Sequence, residues 1–89
     1  MKDPIFEAQK ARLKGRLFGL LCEREKNGEW EKFLDTITIE LRGMKAEADG
    51  PTYRSFMYKI YELRYLSYKY FRSTVLDCIN AIGKVEKDQ

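Results

Sequence analysis

"TYRSFMYKIYELRYLSYKYFRSTVLDCINAIGK", residues 52–84, contains no proline, and its only glycine is Gly83. Good helix formers fill it throughout, so the periodicity predicts one helix of about 50 Å at 1.5 Å per residue. On a wheel of 100° per residue its side chains fall into three sectors. Phe56, Ile60, Leu63, Ser67, Phe71, Thr74, Cys78 and Ile82 form a core stripe. Arg54, Tyr58, Tyr61, Tyr65, Tyr68 and Arg72 form a second stripe roughly 110° away. Ser55, Lys59, Glu62, Lys69, Ser73, Asn80 and Lys84 make a wet face that Leu66 interrupts.

Upstream, Asp3-Pro4 opens a helix, since Asp is a preferred N-cap and Pro fits the first helical position. Phe6, Leu13, Leu17, Leu20 and Leu21 recur on one face of it. Beside them runs a stripe of small residues, Ala8, Ala11, Gly15, Gly19 and Cys22. Ala8, Ala11, Gly15 and Gly19 are expected to admit a close helix neighbour, or else to mark a weak point where the first helix bends, at about 1 kcal/mol of lost helix propensity per glycine. Asn27-Gly28 ends this helix with residues that accept a left-handed backbone.

Trp30, Leu34, Ile37, Leu41, Met44 and Ala48 then repeat with heptad-like spacing and predict a second helix. The alternating, β-branched "TITIEL" (36–41) also fits a short strand, but the flanks "EWEKFLD" and "RGMKAEA" are helical in character. Asp49-Gly50-Pro51 stops this helix and restarts the chain.

The expected fold is therefore all-α and a single domain over residues 1–89, with helices at about 4–26, 29–48 and 52–84 and a solvated tail at 85–89. In a three-helix antiparallel bundle the C-terminal helix overruns the other two by roughly 10–13 residues. The overrun "TVLDCINAIGKV" is apolar on one side, with Val75, Leu76, Cys78, Ile79, Ile82 and Val85 in need of cover. Either the chain folds back near Gly83 or a second subunit supplies the cover, and the second subunit, a homodimer, is the expectation.

Charge follows the same partition. Residues 1–24 carry six cations and three acids, residues 25–50 four and seven, and residues 51–89 seven and four. The acidic middle offers charge complementarity between neighbouring helices, and the basic flanks suit an anionic partner.

The composition argues against several chemistries. The chain holds no histidine, hence neither the commonest general base nor a Ser-His or Cys-His pair. Cys22 and Cys78 are too few for a disulfide scaffold and sit in apolar helical patterns, where buried free thiols are expected. "GRLFG" lacks the lysine and the preceding strand of a phosphate loop. The acids Glu29, Glu31, Asp35 and Glu40 follow the outer face of the second helix rather than forming a carboxylate pair. The run "LFGLLC" is too short to span a bilayer, and no signal-peptide pattern opens the chain, so the expected compartment is the cytoplasm.

No enzyme, metal or cofactor is expected. The expected function is a protein–protein interaction or regulatory module that self-associates through the third helix. The tyrosine stripe fits a structural role, half-buried between the first two helices with rings inward and hydroxyls outward, and it also fits an interface. Arg54, Tyr58, Tyr61, Tyr65, Tyr68, Arg72, Leu76 and Ile79 are the candidate contact residues, because Tyr and Arg anchor interfaces. The second expectation is a nucleic-acid accessory protein whose tyrosines stack on bases while its arginines meet phosphate.

Overall fold

The computed structural model describes residues 3–26 and 28–88, with the Lys26 side chain outside the description. Its elements are α1 (Pro4–Lys26), α2 (Trp30–Met44), α3 (Gly50–Glu62), a single 3-10 turn (Leu63–Tyr65) and α4 (Tyr68–Ile82). Among the described residues there is no strand, only one isolated antiparallel bridge between Ala48 and Lys87. The all-α expectation holds, and "TITIEL" is helical.

α1 begins as its first residues dictate. The Asp3 carboxylate accepts the N–H groups of Ile5 (2.9 Å) and Phe6 (3.3 Å), which the first helical turn leaves unpaired. Gly28 follows the helix with φ of 78°, the left-handed conformation that a side chain would oppose.

The three-helix arrangement does not hold. The expected continuous third helix is broken at Leu66 (φ −92°, ψ 142°) and Ser67 (φ −63°, ψ 162°), both extended. Ser67 caps α4, its carbonyl accepting the Phe71 N–H at 2.8 Å. The result is four α-helices among the described residues. The longest dimension of the molecule is 40 Å, shorter than the uninterrupted helix would be.

Folding back covers the apolar overrun within the chain. α4 packs on α1 and on α3, and α1 packs on α2. Phe71, Val75, Cys78, Ile79, Ile82 and Val85 join Phe6, Leu13, Leu17 and Leu20 of α1 in one core. Leu34, Ile37, Leu41, Met44 and Ala48 complete it from the α2 side, with Tyr53, Phe56, Ile60 and Leu63 from the α3 side. A side chain of this size gains about 1.5–3 kcal/mol on full burial. Covering the α4 row thus outweighs the few helical hydrogen bonds lost at the break.

The expected solvated tail at 85–89 is so only in part: Glu86, Lys87 and Asp88 are exposed, Val85 is not, and Gln89 lies outside the described residues. Val85 is fully buried, Asp49 donates its N–H to the Glu86 carbonyl (2.6 Å), and Asp88 donates to the Glu47 carbonyl (2.6 Å). Lys87 holds the Asp3 carboxylate at 2.6 Å and Glu47 at 3.6 Å. This returning segment also shortens α2, which ends at Met44 instead of 48 because Glu47 and Ala48 are drawn into pairing with it.

Candidate partner-binding groove

α2 and α3 do not pack closely along their length, and an open groove of about 540 Å³ lies between them. Tyr53 is buried at its floor, its hydroxyl donating to the Leu41 carbonyl of α2. Burial pushes the Tyr53 phenol above its ordinary value, so it stays a neutral donor. Met57 stands one turn along α3. Arg54, Tyr58 and Tyr61 form the α3 rim, and Arg42 and Lys45, three residues apart, form the other. Among the described residues, three cations and no acid line this space.

The fold gathers only part of the expected contact stripe. Arg54, Tyr58 and Tyr61 line the groove, while Tyr65 lies in the 3-10 turn with 86% of its surface exposed. Tyr68 and Arg72 belong to α4, beyond the break. Tyr68 donates its hydroxyl to Glu25, which pushes its phenol upward. Leu76 is partly exposed, whereas Ile79 is a core residue with only 6% exposed and is covered by its own chain. Tyr53, Met57, Arg42 and Lys45 were not among the expected contact residues. The Arg42-x-x-Lys45 spacing was visible, but it sits in the segment whose acids outnumber its cations.

The small-residue stripe divides. A Cβ at Gly19 would meet the Phe33 ring at 3.0 Å, so this glycine does admit a close neighbour. At Gly15 nothing lies within 4 Å, and Ala8 and Ala11 are exposed. Three of the four outer acids are paired rather than simply solvated: Glu29 with Lys32 at 3.9 Å, Asp35 with Arg64, and Glu40 with Arg16 at 2.8 Å.

Both cysteines are free, but only Cys78 is buried. Its thiol is pushed up to about 12 by desolvation and is therefore unreactive; Cys22, also expected inside, is exposed. Among the described residues no group of three or more Cys, Asp or Glu is placed to hold a metal ion. Nor is any described helix long and apolar enough to cross a membrane.

Comparison of the chain with protein-family models, with curated proteins and with solved structures found no match in any of the three.

Proposed function

We propose that this chain is a non-enzymatic interaction module that docks an acidic segment of a protein partner in the groove between α2 and α3. The observation that carries the reading is the pairing of an apolar floor, Tyr53 and Met57, with a rim of Arg42, Lys45 and Arg54, no acid standing among the described residues that line it. A partner complementary to this surface places an apolar side chain on the floor and carboxylates beside the guanidinium groups. Tyr58 and Tyr61 add large contact area at low entropic cost. Three rim cations are few for a polyanion, whose affinity grows with each phosphate neutralised, and they suit a protein segment of modest charge.

A fluorescence-polarisation panel of labelled peptides tests this. Peptides combining Glu or Asp with Leu, Phe or Trp are expected to bind, and Arg54→Glu or Tyr61→Ala to weaken them roughly tenfold, the loss of one interface anchor. Equal binding of the variants, or no preference for acidic peptides, refutes the reading.

A nucleic-acid reading is favoured by one observation: Tyr58 (69% exposed), one helical turn from Arg54, and Tyr65 in the 3-10 turn present open rings. Single-stranded oligonucleotides in the same panel separate the two, because stacking on these rings predicts salt-sensitive binding lost in Tyr58→Ala and Tyr65→Ala. The apolar row that a second subunit was expected to cover is buried within the chain itself, so the bent form leaves no such row to drive self-association.

A further inference from the structure

We propose that α4 is an exchangeable element whose partner is a second copy of this chain. Straightening Leu66–Ser67 would fuse α3 and α4 into one helix, and α4 with residues 83–88 would then dock on α1 of the other copy. The proposal is independent of the groove reading, since every residue lining the groove lies in α3 or before it, upstream of the joint.

Three observations converge on it. The joint is two residues long and contains neither glycine nor proline, and both residues differ from a helix mainly in ψ. The apolar spacing is interrupted at Ser67 but resumes beyond the joint in the register of α3, so a straight path would keep Phe71, Cys78 and Ile82 on the stripe of Phe56, Ile60 and Leu63. Finally, packing rather than a cap holds the bend, Leu66 lying against the core. The Ser67 side chain makes no capping hydrogen bond to α4. The bend is also held from elsewhere, by Arg24 of α1 donating to the Leu66 carbonyl (3.1 Å) and by Phe71 packed edge-on against Trp30 at 5.1 Å.

Straightening carries the buried row of α4 away from α1, which a lone chain cannot tolerate. Two straightened chains restore it reciprocally: Phe71, Val75, Ile79 and Ile82 of each copy meet α1 of the other. The contacts of Lys10 with the Gly83 and Val85 carbonyls, and of Lys87 with Asp3, re-form between copies as they stand within one. Such an exchange keeps nearly every native contact while adding helical hydrogen bonds across 63–70. It is a low-cost route to a dimer where a hinge is short.

The geometry supplies a distance that reports the exchange. Ser55 and Lys84 line one shared cavity in the bent chain, so they are neighbours across α3 and α4. In a straight helix they stand about 44 Å apart at 1.5 Å per residue. Spin labels at Ser55→Cys and Lys84→Cys, in a Cys22→Ser background and diluted with unlabelled protein, measure this separation within one copy.

Protein refolded at millimolar concentration is fractionated by size exclusion, and both peaks are measured. The expected result is a short distance in the monomer and about 44 Å in the dimer. Leu66→Ala with Ser67→Ala, which favours helix at the joint, enriches the dimer. Ser67→Pro removes it, because proline matches the φ of −63° at that position and an extended residue precedes it. A dimer that keeps the short distance overturns the proposal. So does a Ser67→Pro variant that dimerises like the wild type, or a double-alanine variant that stays monomeric at millimolar concentration. Should Ser67→Pro fail to fold, the distance in the wild-type dimer still decides.

Discussion

The Arg24 guanidinium reaches from α1 to the carbonyl of Leu66, 42 residues away in sequence, at 3.1 Å. Leu66 is one of the two residues at which the helical path breaks, and the break leaves its carbonyl outside any helix. The same guanidinium lies over the rings of Phe71 (4.2 Å) and Trp30 (4.5 Å). Its Nη1 is buried without a hydrogen-bond partner, so the ring faces are what compensate that end of the charge. One side chain thus ties α1, the start of α2 and the joint before α4.

Arg24→Ala is expected to cost about 2 kcal/mol, the sum of one charge-assisted hydrogen bond and a cation–π stack. Urea denaturation measures it. Arg24→Lys restores only part of the loss, because an ammonium cannot lie flat on Phe71 and Trp30 while donating to Leu66.

Lys10 is a buried cation at the C-terminal end of α4. Its Nζ donates to the Val85 carbonyl at 2.7 Å and the Gly83 carbonyl at 3.3 Å, and pairs with Glu7 at 3.1 Å. Lys10→Met keeps the stem but leaves these carbonyls without their donor, with an expected cost of about 2 kcal/mol. Thermal melts of Lys10→Met and Lys10→Arg check it, with the arginine expected closer to the wild type.

The Asp3–Lys87 pair makes the attachment of the returning segment pH-dependent. The Lys87 ammonium, then the Phe6 and Ile5 N–H groups, hold the Asp3 carboxyl below its ordinary 3.8. That contribution is present above about 3.8 and is lost as pH falls through the lower folded value. Asp3 in turn raises Lys87 above 10.5, so its share is present below 10.5 and is lost as pH rises through the higher folded value. Amide exchange at 86–88 is expected to be slowest relative to the intrinsic rate between these limits, and Lys87→Met to flatten the profile.

Gly15 and Gly19 are predicted to diverge on substitution by alanine. Gly15 faces open space, so Gly15→Ala gains helix propensity and stabilises by about 1 kcal/mol. At Gly19 the added methyl would sit 3.0 Å and 3.2 Å from two atoms of the Phe33 ring, which must shift to accept it. Gly19→Ala is expected to stabilise less than Gly15→Ala, or to destabilise. Paired denaturation curves decide.

Much of the core was legible in local spacing. Phe6, Leu13, Leu17 and Leu20, then Leu34, Ile37, Leu41, Met44 and Ala48, are buried as their periodicity implied. The error at the third helix was marked by two neighbours that fitted a straight helix poorly: Leu66 interrupted the wet face and Ser67 the core stripe. In L-S-x-x-x-F the residues occupy N′, N-cap and N4 of α4, the positions of a hydrophobic staple around a favoured cap residue. Without a proline or glycine the signal was weak. The groove was less legible still, because Arg42 and Lys45 face Arg54 and Tyr58 only once α2 and α3 are set side by side.

By itself, the sequence determined that the chain is helical and which face of each helix is apolar, because both depend on a repeat of 3.6 residues read within a few turns. Where the last helix bends and what covers α4 were decided by tertiary structure alone. Leaving the helical path at Leu66 sacrifices local hydrogen bonds. Only the burial of Phe71, Val75, Ile79 and Ile82 against α1, with Arg24 at the joint, offsets that loss.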